Sequence, residues 1–155
     1  MPIIRAHGVN SEPQDNDEYY KGANMLHTIR QIINKDSLFR QILRGLNKTF
    51  YHQTVTTKQI EDYINMQSKI NFSKVFEQYL TTTQIPTLEY KQNGYALSYR
   101  WINCIKGFNM PVRINFKGSR WIRPTEKWQI LSLYPEGDKS FSIDPLFYIY
   151  KRNSD

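Results

Sequence analysis

The chain has 155 residues, of which 39% are hydrophobic and 14% aromatic, so it is long enough for one domain or two small ones and too apolar for a disordered chain. Its one cysteine, Cys104, excludes an intrachain disulfide and a thiolate metal cluster. We expect this thiol to be a small buried group rather than a nucleophile. No apolar run reaches the length of a membrane span, and the first residues lack a signal-peptide core. The compartment stays open.

The net charge of +7 is concentrated in the second half of the chain. Residues 86–155 hold eleven Lys or Arg against six Asp or Glu, whereas residues 1–85 hold ten against eight. Such an excess can attract nucleic acid or anionic lipid, or it can belong to the outward positions of an ordinary β-domain. The basic residues are scattered with no run of three, which favours the ordinary β-domain. Nucleic acid is therefore not the predicted partner.

Residues 1–16 are rich in Gly, Pro, Asn and acidic side chains, and they predict an extended segment followed by a loop. Such a beginning is typical of a segment taken from a longer protein. A first helix is predicted from Asp17 to Ile33, with an apolar stripe at helical spacing that includes Gly22, Met25 and Ile29. Tyr19 precedes Gly22 by about one turn, so it is predicted to point inward, and Gly22 is predicted to mark a close approach.

Three further helices follow in the first half of the chain. Asp36 is predicted to cap the second helix, and the short connection before it predicts antiparallel packing on the first. Thr56 and Gln59 have the spacing of a capping box at the start of the third helix. Asn71 is predicted to cap the fourth. Helical periodicity ends at Pro86, because the residue before a proline is driven out of helical space.

Side chains alternate with a period of two after Pro86, which predicts short strands. Asn93-Gly94 is a strong hairpin signal, and further turns are predicted at 106–109, 117–119 and 135–138. The predicted fold class is α+β. A helical segment of about four helices, residues 1–85, is followed by a small antiparallel β-sandwich, residues 86–155.

Six short pieces of the sequence, in order and with plausible spacing, resemble the gluzincin zinc aminopeptidases, the family of aminopeptidase N and leukotriene hydrolase. Tyr19-Tyr20-Lys21-Gly22 matches the Tyr-x-Lys-Gly helix of that family. The other pieces are Leu26-His27-Thr28-Ile29-Arg30, the run 39–46, Thr54-Val55-Thr56-Thr57, the segment 73–80 and Ile85-Pro86-x-Leu88-Glu89-Tyr90. The resemblance implies that residues 1–85 are the C-terminal part of a thermolysin-like catalytic domain and that the β-sandwich follows it.

The chemistry implied by this resemblance is hydrolysis of the N-terminal peptide bond of a peptide by a zinc-bound water. The tyrosine of Tyr-x-Lys-Gly stabilises the oxyanion in that family, and the matching residue here is Tyr19. A phenol suits this role because it is neutral at pH 7 and donates a hydrogen bond. Tyr19 is therefore the candidate catalytic residue.

The zinc ligands of the family have no match in this chain. Its histidines are His7, His27 and His52, none of which is followed by Glu, so the His-Glu-x-x-His motif is absent. The third zinc ligand and the Gly-x-Met-Glu-Asn motif are missing as well. The chain is thus predicted to supply the catalytic tyrosine of a metallopeptidase, with no metal or cofactor site of its own. Its partners would be an upstream catalytic segment and, through the parent enzyme, a peptide substrate. The sequence leaves open whether the parent enzyme is exported or periplasmic.

Two other interpretations remain at this point. In one, the basic, Trp- and Tyr-rich β-half is a non-catalytic module that binds peptide, polysaccharide or single-stranded nucleic acid by stacking. In the other, the chain is a scaffold without a site, and its helices expose apolar surface that associates with other copies.

Overall fold

A computed structural model of the protein describes residues 3, 17–116, 118–133 and 141–154, with only the backbone of residues 17 and 18. The helices are α1 Asp17–Ile33, α2 Asp36–Thr49, α3 Thr57–Ser68 and α4 Ser73–Thr81. The strands are β1 Thr87–Asn93, β2 Ala96–Ile102, β3 Val112–Asn115, β4 Ser119–Ile122, β5 Gln129–Ser132, β6 Ser142–Ile143 and β7 Tyr150–Asn153. The predicted α+β class is confirmed. The predicted loop before residue 17 and the turn at 135–138 lie outside the described residues.

Helix α1 has the predicted bounds, and Met25 and Ile29 of the predicted stripe are buried, but the buried face also takes in Lys21 and Thr28. Its fully or nearly buried side chains are Lys21, Met25, Thr28, Ile29 and Ile32. Tyr19 is 66% exposed, so the prediction that it points inward is wrong. With about 100° of rotation per residue, Tyr19 lies roughly 200° around the helix from Lys21. Burial of Lys21 therefore turns Tyr19 outward.

The predicted helix starts are correct at α3 and differ at α2 and α4. The Thr56 hydroxyl accepts from the Gln59 amide at 3.3 Å while the Gln59 side chain accepts from the Thr56 amide at 2.8 Å, which confirms the capping box. Asp36 is not the cap of α2, because Lys35 holds that position and makes no side-chain cap bond. Asp36 instead lies in the first helical turn, where Arg30 donates to its carboxylate at 2.8 and 2.7 Å.

Helix α4 begins at Ser73, one residue later than a cap at Asn71 would require. Phe72 holds the cap position and makes no side-chain cap bond. The Asn71 side chain still accepts from the Ser73 amide at 2.9 Å, and the Asn65 side chain accepts from the Phe72 amide at 2.8 Å. Two asparagine side chains thus satisfy backbone donors at this helix start in place of a single cap.

The strands form two sheets, one with the order β5-β2-β1-β7 and one with the order β4-β3-β6. Every pairing is antiparallel among the described strands except β1 with β7, which is parallel. The parallel strand was not predicted. It returns through a long connection rather than a hairpin, and only hairpin connections impose the antiparallel direction.

The predicted turns at 93–94 and 117–119 are hairpin connections with small differences, whereas the predicted turn at 106–109 joins β2 to β3 of the other sheet. Asn93 pairs with Ala96, so the turn residues are Gly94 and Tyr95 rather than Asn93 and Gly94. Gly94 has a φ of +57°, a conformation that glycine adopts without steric cost. The predicted break at 117–119 is the connection from β3 to β4, where the Phe116 amide donates to the Gly118 carbonyl at 2.9 Å. Strand β4 was therefore missed.

The helices and both sheets share one hydrophobic core cluster. Ile29 and Tyr79 of the helices belong to it together with Leu88 and Trp101 of the strands. Helical structure ends at Thr81 and the first strand begins at Thr87, close to the predicted boundary. The division into a domain of residues 1–85 and one of residues 86–155 stays a prediction. No helix among the described residues has the length and apolar character needed to cross a membrane.

Two helical glycines predict opposite effects of the same substitution. A methyl group at residue 22 would lie 3.8 Å from Cδ1 of Ile3, an ordinary contact, so the close approach predicted at Gly22 is wrong for the described residues. A methyl group at Gly45 would lie 2.1 Å from the Tyr63 hydroxyl. We expect Gly22→Ala to stabilise the chain by about 0.5–1 kcal/mol through helix propensity.

We expect Gly45→Ala to destabilise the chain by about 1 kcal/mol, because Tyr63 must move away from its edge-on contact with Phe50. Urea unfolding of both variants beside the parent chain measures the two effects. Equal shifts of the unfolding midpoint in the two variants would contradict the packing difference.

Candidate functional site

Tyr19 lies at the exposed N-terminal end of α1. Its side chain is 66% exposed, and its hydroxyl has no hydrogen-bond partner among the residues the structure describes. The next residue, Tyr20, is 67% exposed as well. The phenol of Tyr19 is thus available to donate to a group outside the described residues, as the predicted role requires.

Lys21 determines the orientation of this end of α1. Its side chain is 5% exposed, and its Nζ donates to the carbonyl of Thr82, the residue after α4. A buried ammonium group without a partner is very costly, so this bond favours one rotation of the helix. In the sequence, Lys21 belonged to the matching motif. In the structure, it joins α1 to the end of α4.

Two further contacts hold α1 against the β-sheets. Thr28 is fully buried, and its hydroxyl accepts from the Tyr148 amide at 3.1 Å. Near the end of the helix, Arg113 of β3 donates to the side chains of Gln31 at 3.1 Å and Asn34 at 3.2 Å. Together with Lys21, these contacts hold the helix along its length. A donor at its N-terminal end is therefore held on a rigid element.

Arg113 is itself fixed by an ion pair. Its Nε donates to Oδ2 of Asp144 at 2.6 Å, and the two side chains are 18% and 6% exposed. The other carboxylate oxygen of Asp144 accepts from the Leu146 amide at 2.9 Å. The buried carboxylate and the guanidinium thus satisfy each other, and Arg113 joins the three-stranded sheet to the end of α1.

The described residues do not fit a zinc site. Within them, no group of three or more His, Cys, Asp and Glu side chains is close enough to hold a metal ion. Nε2 of His27 lies 3.3 Å from Nε2 of Gln31 on the same helix. His52 is exposed, with its ring 4.1 Å from that of Tyr51. His7 lies outside the described residues.

Cys104 is half-buried, and burial together with the nearby charge of Glu126 raises the pKa of its thiol to about 11. A raised pKa leaves little thiolate at neutral pH, so the thiol should react slowly there. We expect its rate of alkylation by iodoacetamide to rise with pH through a midpoint near 11. In denaturant the midpoint should fall toward 9, the ordinary value. A folded-state midpoint at or below 9 would contradict the burial.

Some of the basic and aromatic residues of the non-catalytic interpretation contact one another next to the four-stranded sheet. The Trp128 ring is covered by Arg100 at 4.6 Å and Lys91 at 5.1 Å. Arg100 also donates to Glu89 at 2.6 Å. Burial alone would raise the pKa of the Glu89 carboxyl, but hydrogen bonds from Arg100 and Ser154 hold that pKa below its ordinary value. The charge of Arg100 is thus already neutralised by Glu89. That this surface binds nucleic acid by stacking stays a prediction.

A cleft of about 380 Å³ lies at the opposite end of α1, between the helices and the three-stranded sheet. We call it the interface cleft. Its lining residues come from four separate segments: Ile32, Asn34, Ile70, Asn71, Phe72, Val75, Asn109, Met110, Pro111, Trp121 and Arg123. The sequence analysis missed this cleft. No local signal in the sequence brings these segments together.

The chain has the fold of part of a known aminopeptidase. It is similar to the crystal structure of Legionella pneumophila aminopeptidase A in complex with aspartic acid, with a TM-score of 0.67 and 14% sequence identity. The likeness covers 90% of this chain and 18% of that enzyme's chain. The chain thus spans about a fifth of the length of that enzyme. No protein-family model matches the sequence, and no curated protein does.

Proposed function

We propose that this chain is the C-terminal portion of a zinc-dependent aminopeptidase of the gluzincin type. The observation that carries the proposal is the likeness in fold to an aminopeptidase over 90% of the chain. The Tyr-x-Lys-Gly match at Tyr19 adds a residue with a chemical role to that likeness. The parent enzyme would remove residues from the N-terminus of peptides.

The contribution of this chain to the reaction is a hydrogen-bond donor. Attack on a peptide carbonyl moves negative charge onto the carbonyl oxygen, and a donor at that oxygen favours the transition state over the substrate. The exposed Tyr19 hydroxyl, on a helix held by the buried Lys21, is suited to this role. We assign the zinc ligands to polypeptide outside residues 1–155, because the sequence contains no His-Glu-x-x-His motif.

A chimera tests the proposal. The chain would replace, in the Legionella enzyme, the part that it resembles. We expect the chimera to hydrolyse an aminoacyl p-nitroanilide, and the Legionella enzyme without that part to be inactive. A chelator should abolish the activity and added zinc should restore it. A folded, zinc-loaded chimera without activity would contradict the proposal.

A further inference from the structure

The interface cleft has the dimensions and the chemistry of a ligand site. Its volume of about 380 Å³ falls within the range of small-ligand pockets in proteins, about 300–1,000 Å³. We propose that it binds the C-terminal end of a peptide whose last residue is apolar, with the carboxylate paired to Arg123. This proposal is independent of the aminopeptidase function, because Ile32 lies about 20 Å along α1 from Tyr19.

The floor of the cleft is apolar. Four of its lining side chains are at most 8% exposed: Ile32, Phe72, Val75 and Met110. Trp121 adds an aromatic wall that is 39% exposed, and its ring is held by an edge-on contact with Phe147 at 5.8 Å. Such a floor favours an aliphatic or aromatic side chain over a sugar, whose hydroxyl groups would lose their hydrogen bonds to water there.

The polar lining groups match a peptide backbone. Asn34, Asn71 and Asn109 each present an amide that both donates and accepts hydrogen bonds. The side-chain oxygens of Asn34 and Asn71 already accept from Arg113 and the Ser73 amide, so their amide nitrogens remain as donors. Donors of this kind suit the carbonyl oxygens of a bound peptide.

The charge of the cleft indicates an anionic ligand. Among the described residues, no Asp or Glu lines the cleft, and Arg123 makes no ion pair. Arg100 and Arg113, by contrast, are each paired with a carboxylate at 2.6 Å. A free guanidinium beside an apolar floor can form two parallel hydrogen bonds with a carboxylate. A peptide C-terminus with an apolar last residue combines both features.

The experiment compares acetyl-Ala-Leu as the free acid with the same peptide as the C-terminal amide, by titration calorimetry on the full 155-residue chain. The free acid should bind about tenfold more tightly than the amide, because a hydrogen bond to a charged group contributes about that factor. Acetyl-Ala-Gly should bind about tenfold more weakly than acetyl-Ala-Leu, since it lacks the apolar side chain.

Arg123→Gln should abolish the preference for the free acid and leave binding of the amide unchanged. Arg120→Gln is the matched control. Arg120 is an exposed arginine of β4 that lies over the Phe116 ring and outside the cleft lining, so binding should not change. Circular dichroism shows whether each variant is folded. Equal affinity for acid and amide, no saturable binding at millimolar peptide, or equal losses in the two variants would each overturn the proposal.

Discussion

Tyr19→Phe is expected to lower the kcat of the assembled peptidase by about 100- to 1,000-fold, the usual effect of removing one oxyanion donor. KM should change little, because the lost hydrogen bond forms only as charge develops on the carbonyl oxygen. The folded chain should be unaffected, since the hydroxyl is exposed and has no partner within the described residues. Steady-state kinetics on the chimera measure the effect.

Tyr20→Phe provides the matched control for this prediction. Tyr20 is the next residue of the same helix and is 67% exposed, nearly the same as Tyr19, but it lies about 100° around the helix axis. We expect the kcat of the Tyr20→Phe chimera to stay within about twofold of that of the unsubstituted chimera, as for a surface residue without a catalytic role. If both variants lost the same activity, the effect would belong to the helix surface and not to the Tyr19 hydroxyl.

Asp144→Asn is expected to cost about 3 kcal/mol of the free energy of unfolding, the low end of the range for breaking a buried ion pair. The substitution keeps the shape of the side chain and an acceptor for the Leu146 amide, but it removes the charge opposite Arg113. Arg113 is 18% exposed, so its charge would be left largely out of water without a counterion. The melting temperature should fall by about 6–12 °C.

Asp36→Asn isolates burial as the cause of that loss. Asp36 also accepts from an arginine at 2.7–2.8 Å, but the side chains of this pair are 42% and 58% exposed. The pair lowers the pKa of Asp36 mainly through the hydrogen bond from Arg30, yet water replaces that bond readily when it is lost. We expect no measurable change in melting temperature. A similar loss in both variants would show that the pairs contribute equally and that burial is unimportant.

Structural features whose partners lie close together in the sequence were predictable from it. The capping box joins Thr56 and Gln59 across three positions, and its two hydrogen bonds form as expected. The alternation of buried residues in β2 follows the sequence pattern, with Leu97, Tyr99 and Trp101 facing the core. Local hydrogen bonding and side-chain periodicity require no knowledge of the rest of the chain.

The orientation of α1 was not predictable in this way. A lysine is ordinarily assigned to the outward face of a helix. Lys21 is buried instead, and its ammonium group donates to the carbonyl of Thr82. This acceptor is 61 positions further along the chain, so no local pattern indicates it. Burial of Lys21 together with Thr28 turns α1 away from the predicted inward stripe and places Tyr19 on the exposed side.

By itself, the sequence determined the α+β class, the bounds of α1 and the helix-to-strand change near Pro86. It also singled out Tyr19 as the candidate catalytic residue, and it contains no His-Glu-x-x-His motif. Only the tertiary structure decided which way Tyr19 points, that β7 runs parallel to β1, and that four distant segments enclose a cleft beside Arg123. The reason is physical. Secondary structure and caps depend on neighbours within a few residues, whereas helix rotation, strand direction and clefts depend on contacts between residues far apart in the chain.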